Sequence, residues 1–201
     1  MPAESGGTVA VRDEILEATA RLMLAHSFGE LSVAQILKEA GISRATFYSY
    51  FGSKFSVLSG LLARAMDDMF ETVQPFLVRA EGDDPEVALE RSMRAVTGMW
   101  HRHRLVLQAT NHHWHSEPEL RTLWLQIVDR FVDAGAAEIE REREAGLVRA
   151  QTPSRQLAAV LFWGTERVLH VAGLGVEREF EDEESVVTPL VEMWRGTLYG
   201  R

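Results

Sequence analysis

The 201-residue sequence contains no cysteine and only two lysines, Lys38 and Lys54. Without cysteine, disulfide scaffolds, cysteine-ligated zinc, iron–sulfur clusters and thiol catalysis are excluded together. No run approaches the roughly 18 apolar residues that a membrane span needs, and the opening MPAESGGTVAVRDEI lacks a basic stretch followed by an apolar core. We therefore expect a cytoplasmic chain with no membrane partner. Surplus positive charge is also missing: the formal net charge is −9 and the pI about 5.3, which excludes general coating of nucleic acid, because affinity for phosphate depends on neutralising it. A hydrophobic content of 46% in a chain of this length excludes disorder and can bury a core. The acid is unevenly spread. Residues 1–60 carry five basic against six acidic side chains, a balance of −1, and the rest carry 16 against 24, a balance of −8. The amino-terminal third stays free to meet a duplex.

Glycine and proline fall between segments that repeat apolar residues at three and four, which predicts an all-α chain of about nine helices. The first runs from about Val9 to His26 with Val11, Ile15, Ala18 and Leu22 on one stripe, after a loose tail from Pro2 to Gly7. Ser32 and Gln35 form a capping box that opens a short helix through Ala40. Gly41 ends it, Ser43 caps a third helix from Arg44 to Tyr50, and Ser53 caps a fourth reaching about Leu77. Glu81-Gly82-Asp83-Asp84-Pro85 breaks the chain before a fifth helix ending near Asn111. Ser116-Glu117-Pro118-Glu119 opens a run to Gly146, as one helix or two. Thr152-Pro153 starts another that ends near Gly173, and the last spans about Ser185 to Tyr199.

Two short helices joined through Gly41-Ile42-Ser43 read as a helix-turn-helix, whose second helix is short enough to enter a major groove. Phe47 and Phe51, four apart, point inward and leave Arg44, Ala45, Thr46, Tyr48, Ser49 and Tyr50 around the outside. Arginine can pair bidentately with guanine, alanine and threonine methyls can meet a thymine methyl, and hydroxyls can donate to phosphate. Lys54 adds charge at the amino end of the fourth helix, a place that attracts anions.

The segment GISRATFYSYFGSKFSVLSGLL, after LSVAQILKEA, resembles the DNA-binding domain of the TetR family of bacterial transcriptional repressors. The capped second half and the ending EMWRGTLYG resemble the branch of the ethionamide-resistance regulator. Tyr50 stands where many members have histidine, and where many carry a basic tail ahead of the first helix this chain has only Arg12, within the first turns of that helix. The resemblance implies a DNA-binding domain over residues 1–54 and a helical ligand-binding and dimerisation domain over residues 55–201. It implies base-edge contacts from Arg44, Ala45 and Ser49, and it puts Ser43, the cap of their helix, among the DNA-binding residues. Phosphate contacts are implied for Ser32, Thr46, Tyr48, Tyr50 and Lys54, helped by Arg21 and Lys38. It also implies a homodimer through the last two long helices, a palindromic operator, and release by a small apolar effector, with no enzymatic activity and no cofactor.

All five tryptophans follow residue 99. Leu89, Met93, Val96 and Trp100 share one helical stripe; Trp124 and Phe131, then Phe162 and Thr165, then Trp194 continue the pattern. Such residues fill a core or line an apolar cavity, and the resemblance favours the cavity, with Thr165 as a lone hydroxyl to orient a polar group. Five of seven histidines fall between His101 and His115. His112 and His115 could share a helix face and hold a metal, which makes a small metal-binding protein or enzyme the competing reading. The absence of an HExxH motif argues against it, and His113 and His115 are expected in a surface loop. The run Glu138 to Glu144 reads as a solvated face laced with ion pairs.

Overall fold

The computed structural model describes residues 4–77 and 84–200, and among these the chain forms nine α-helices and one 3-10 turn with no strand. Helix α1 is Glu4–Met23, followed by the 3-10 turn Phe28–Glu30; then come α2 Val33–Ala40, α3 Arg44–Tyr50, α4 Lys54–Leu77 and α5 Pro85–Arg102. The order ends with α6 Arg104–His113, α7 Pro118–Glu144, α8 Ser154–Leu174 and α9 Glu183–Tyr199. Pro2 and Ala3 of the expected tail and Glu81 to Asp83 of the expected break lie outside the described residues.

The boundaries differ from expectation in four places. Helix α1 already includes Gly6 and Gly7, and it ends three residues early because Leu24 and Ala25 donate to Arg21 and Leu22, tightening the last turn to three-residue spacing. The segment after Asp84 is two helices. His103 leaves helical geometry (φ −101°, ψ 13°) with its Nε2 2.7 Å from Asp68 Oδ2, a long-range bond that neither glycine nor proline announces. Residues 118–144 form one helix, and α9 begins at Glu183 with Asp182 as its cap rather than near Ser185.

Two compact units emerge, one of Met1–Ala65 with Leu105–Trp124, the other of Met66–Arg104 with Leu125–Arg201. In the first, α1 packs on α2, and Ile15, Leu16, Ile36, Phe47, Leu58 and Leu62 are fully buried. Gly60 permits a close approach of α4 to α1, since a Cβ there would stand 2.9 Å from Leu16 Cδ2. In the second unit α5 runs antiparallel to α9. Arg94 pairs with Glu183 and Glu184 at the start of α9, while Arg195, near its end, pairs with Glu86 at the start of α5. Helix α8 packs on α9 through Thr165 and Trp194, and the Tyr199 hydroxyl donates to Glu142 at 2.9 Å. That last bond corrects the solvated reading of residues 138–144: Arg141 pairs with Glu138 and Arg143 with Glu140, but Glu142 and Ile139 are buried.

Candidate nucleic-acid interface and ligand site

Helix α3 is only seven residues long, too short to persist alone, so its position must come from its ends and its buried face. On the α2 side, Ser32 Oγ accepts from the Gln35 amide while Gln35 Oε1 accepts from the Ser32 amide at 2.9 Å, the reciprocal pattern the sequence predicts. Gly41 then turns at φ +64°, a left-handed conformation that costs a residue with a Cβ dearly. Ser43 accepts from the Thr46 amide at 3.0 Å and starts α3. Each such cap is worth about 1 kcal/mol. Phe47 is wholly buried and Phe51, the closing cap of α3, is nearly so; burying each ring contributes roughly 1.5–3 kcal/mol. Across the next turn Ser53 and Ser56 exchange bonds that begin α4.

The outward face follows from that anchoring. Arg44, Ala45, Tyr48 and Ser49 are exposed and Thr46 and Tyr50 half-buried. Arg44 makes no ion pair among the described residues, so its guanidinium is available for a bidentate partner. The Tyr48 ring stands edge-on to Phe47 with centroids 5.3 Å apart, which limits its rotamers while leaving it 49% exposed. Ser49 Oγ donates to the Thr46 carbonyl and Thr46 Oγ1 lies 2.8 Å from Ser43 Oγ. Ser32 and Lys38 are also exposed.

Two bases expected at the phosphates are otherwise engaged. Arg21 pairs with both Glu14 and Glu39. Lys54 Nζ donates to the carbonyls of Phe28, Gly29 and Leu31 at 3.2, 2.8 and 2.8 Å, which uses all three ammonium protons. Burial pulls its pKa below the usual lysine value, with Glu117 acting the other way. Lys54 thus holds the turn that precedes α2, a role the spacing FGSK alone could not reveal. Replacing it with methionine should cost about 1–3 kcal/mol of stability by orphaning those carbonyls, seen as a lower Tm, with the salt dependence of DNA binding little changed. A salt slope flattened by about one unit per subunit at unaltered Tm would return Lys54 to the phosphates. Arg12 lies 5.5 Å over the Phe51 ring, leaving Arg44, Lys38 and Arg12 as the cations on hand.

Of the nine residues expected to line a ligand site, eight belong to the second unit and are buried or half-buried: Leu89, Met93, Val96, Trp100, Phe131, Phe162, Thr165 and Trp194. Trp124, also buried, belongs to the first unit. Phe131 stands between Phe70 and Phe162 with centroid separations of 5.2 and 5.9 Å. Thr165 is not free, because Trp194 Nε1 donates to its hydroxyl at 2.8 Å; the threonine can still donate. Trp100 Nε1, Thr97 Oγ1 and His170 Nδ1 are buried with no hydrogen-bond partner among the described residues, and burial lowers the His170 pKa.

The metal reading finds no support in the geometry. Helix α6 ends at His113, so His112 and His115 do not share a helix face, and no group of three or more potential ligands forms among the described residues. His113 is half-buried among aromatic rings, not in a surface loop.

Residues 15–59 match the model of bacterial regulatory proteins of the tetR family, and residues 89–200 match that of the carboxy-terminal domain of the transcriptional regulator EthR. The chain is 33% identical to the HTH-type transcriptional regulator EthR of Mycolicibacterium smegmatis over 189 residues, 92% of this chain and 85% of that one. It is 29% identical to the regulator of the same name from Mycobacterium tuberculosis, covering 92% and 86%. Among solved structures, GusR of Salmonella enterica superposes with a TM-score of 0.73 over 94% of this chain and 95% of that one, at 19% identity, which speaks for the fold. A capped recognition helix, residues 89–200 matching the EthR carboxy-terminal domain over more than half the chain, and a relative 33% identical and aligned over 85% of its length make this chain a member of the TetR family of transcriptional regulators, not an enzyme, in the branch with an EthR-type carboxy-terminal domain.

Proposed function

We propose that this regulator is a repressor that reads a palindromic operator as a homodimer and leaves it when a small, mainly apolar effector occupies the second unit. The observation that carries the reading is α3: a helix fixed by two caps and two buried phenylalanines, with an unpaired Arg44 beside Ala45, Tyr48 and Ser49 on its open face. Residues 1–54 hold the reading function and residues 55–201 the effector and dimer functions. Arg44, Ala45 and Ser49 meet base edges. Ser32, Thr46, Tyr48 and Tyr50, with Lys38 and Arg12, meet phosphates.

The dimer is formed by α8 and α9. Helix α8 is as apolar as a membrane span by composition, yet only 33% of its most apolar stretch is buried within one chain. Val160 is 68% exposed and Leu174, almost four turns on and so on the same side, is 49% exposed. A second copy covering this stripe removes it from water and places two recognition helices about one DNA turn apart. The effector region of Phe131, Phe162, Thr165, Trp194 and Trp100 is apolar but holds one buried donor, Trp100 Nε1, with no partner among the described residues, so an uncharged molecule bearing a hydrogen-bond acceptor suits it best.

The test begins with a duplex enriched by the wild-type protein from a randomised pool, expected to be two-fold symmetric. Arg44→Ala should lose about 1–3 kcal/mol on that duplex and far less on random DNA. Equal losses on both would reduce Arg44 to a phosphate contact, and an enriched sequence without symmetry would remove the dimer from the reading.

A further inference from the structure

Three aromatic rings from distant parts of the sequence meet in the first unit. Phe28 of the 3-10 turn, Phe55 in the first turn of α4 and His113 at the end of α6 contact one another edge to face, with centroids 5.7 Å (Phe28 to Phe55), 5.7 Å (Phe28 to His113) and 5.2 Å (Phe55 to His113) apart. Such pairs add an orientation-dependent attraction beyond their burial. Lys54 Nζ lies 5.2 and 5.5 Å over the two phenylalanine rings while it holds the carbonyls of Phe28, Gly29 and Leu31. His113 Nε2 flanks the same turn, 3.8 Å from where a Cβ on Gly29 would stand. That turn leads directly into Ser32, the cap of α2, so two side chains from outside the helix-turn-helix set where it begins.

Resting on the operator reading above, we propose that His113 is a positioning residue for DNA reading: its neutral ring holds the Phe28–Leu31 turn beneath α2, and protonating it loosens the turn and weakens operator binding. A neutral imidazole serves as the third ring of the cluster. An imidazolium would face the Lys54 ammonium of α4 and the neighbouring His112, whose ring centroid is 4.7 Å away, with Glu117 before α7 as an opposing charge. Burial, then His112 and Lys54, hold the His113 pKa below the ordinary value of 6.5, against the pull of Glu117. The sign follows from linkage. The loosened state binds the proton more readily than the closed one, so the closed cluster is fully favoured above that ordinary value and loses ground as pH falls beneath it.

The experiment measures binding of the intact protein to the selected operator duplex between about pH 7.5 and about pH 5.5. Wild-type affinity should fall about fivefold or more, the lower edge of usual coupling between sites. H113F, which keeps a ring and has no proton to gain, should bind like the wild type at the upper pH and hold most of that affinity at the lower. H113A should bind at least about fivefold more weakly at both, with native helix content by circular dichroism. A pH profile of H113F that falls as steeply as the wild type's would overturn the proposal, and so would H113A binding unchanged. Should H113A not fold, the two remaining profiles decide. Failure to enrich any duplex would bring down the operator reading itself together with this one.

Discussion

Replacing Val160 with glutamate should turn the dimer into a monomer and lower operator affinity by about 10²- to 10⁴-fold, the range lost when two linked contacts become one. Val160 is 68% exposed in the single chain, so a carboxylate there costs the monomer almost nothing. In the proposed α8–α9 dimer the same carboxylate would be buried against apolar side chains with no partner, which association cannot offset. Operator affinity then falls because two half-sites are no longer read together, although each α3 is intact. Sedimentation and operator binding on one preparation check this, and a Val160→Glu protein that stays dimeric, or a monomer that binds the operator as tightly as the wild type, contradicts the assignment of the stripe. Leu190 and Trp194, the positions that the apolar pattern of α9 suggests for the same test, would not serve. Leu190 is buried within the chain itself and the Trp194 indole is bonded to Thr165, so a charge at either first damages the fold.

That contrast shows what the sequence can and cannot convey. The helix-turn-helix is legible to the residue because its instructions are local: Ser32 with Gln35, Gly41 and Ser43 act within four positions, and the structure has α2 and α3 at the predicted bounds. The division of α8 between an inward and an outward apolar face is not legible, because valine and leucine occur all round the helix and only packing against α5, α7 and α9 decides which are covered. The break at His103 depends on Asp68, 35 residues away. Lys54 reads as a phosphate ligand from its place beside a helix start, yet three carbonyls some 25 residues earlier claim it, and no spacing rule reports an acceptor so far off. The setting of His113 is illegible for the same reason, since its ring partners lie in the 3-10 turn and in α4. Glycine misled in the opposite sense at Gly6 and Gly7, where helix α1 carries through two residues that each cost it about 1 kcal/mol relative to alanine.

Helix α4 is unbroken from Lys54, beside the head's turns, to Leu77, and its Phe70 ring packs against Phe131. In the proposed repressor, an effector that prefers one arrangement of α4 would also bias DNA reading, because it would shift the population of a shared element. The shift can be no larger than the effector's own preference between the two arrangements, and the usual coupling of about 1–3 kcal/mol corresponds to roughly 5- to 150-fold in operator affinity. Linkage makes the effect reciprocal, so operator must weaken effector binding by the same factor. Trp100, Trp163 and Trp194 in the second unit supply the signal for effector binding. The decisive measurement takes an uncharged apolar compound that quenches tryptophan emission and titrates it with and without the selected operator duplex, then titrates operator with and without the compound. The account predicts equal factors of about fivefold or more in the two directions; saturating quench with operator affinity unchanged would contradict it.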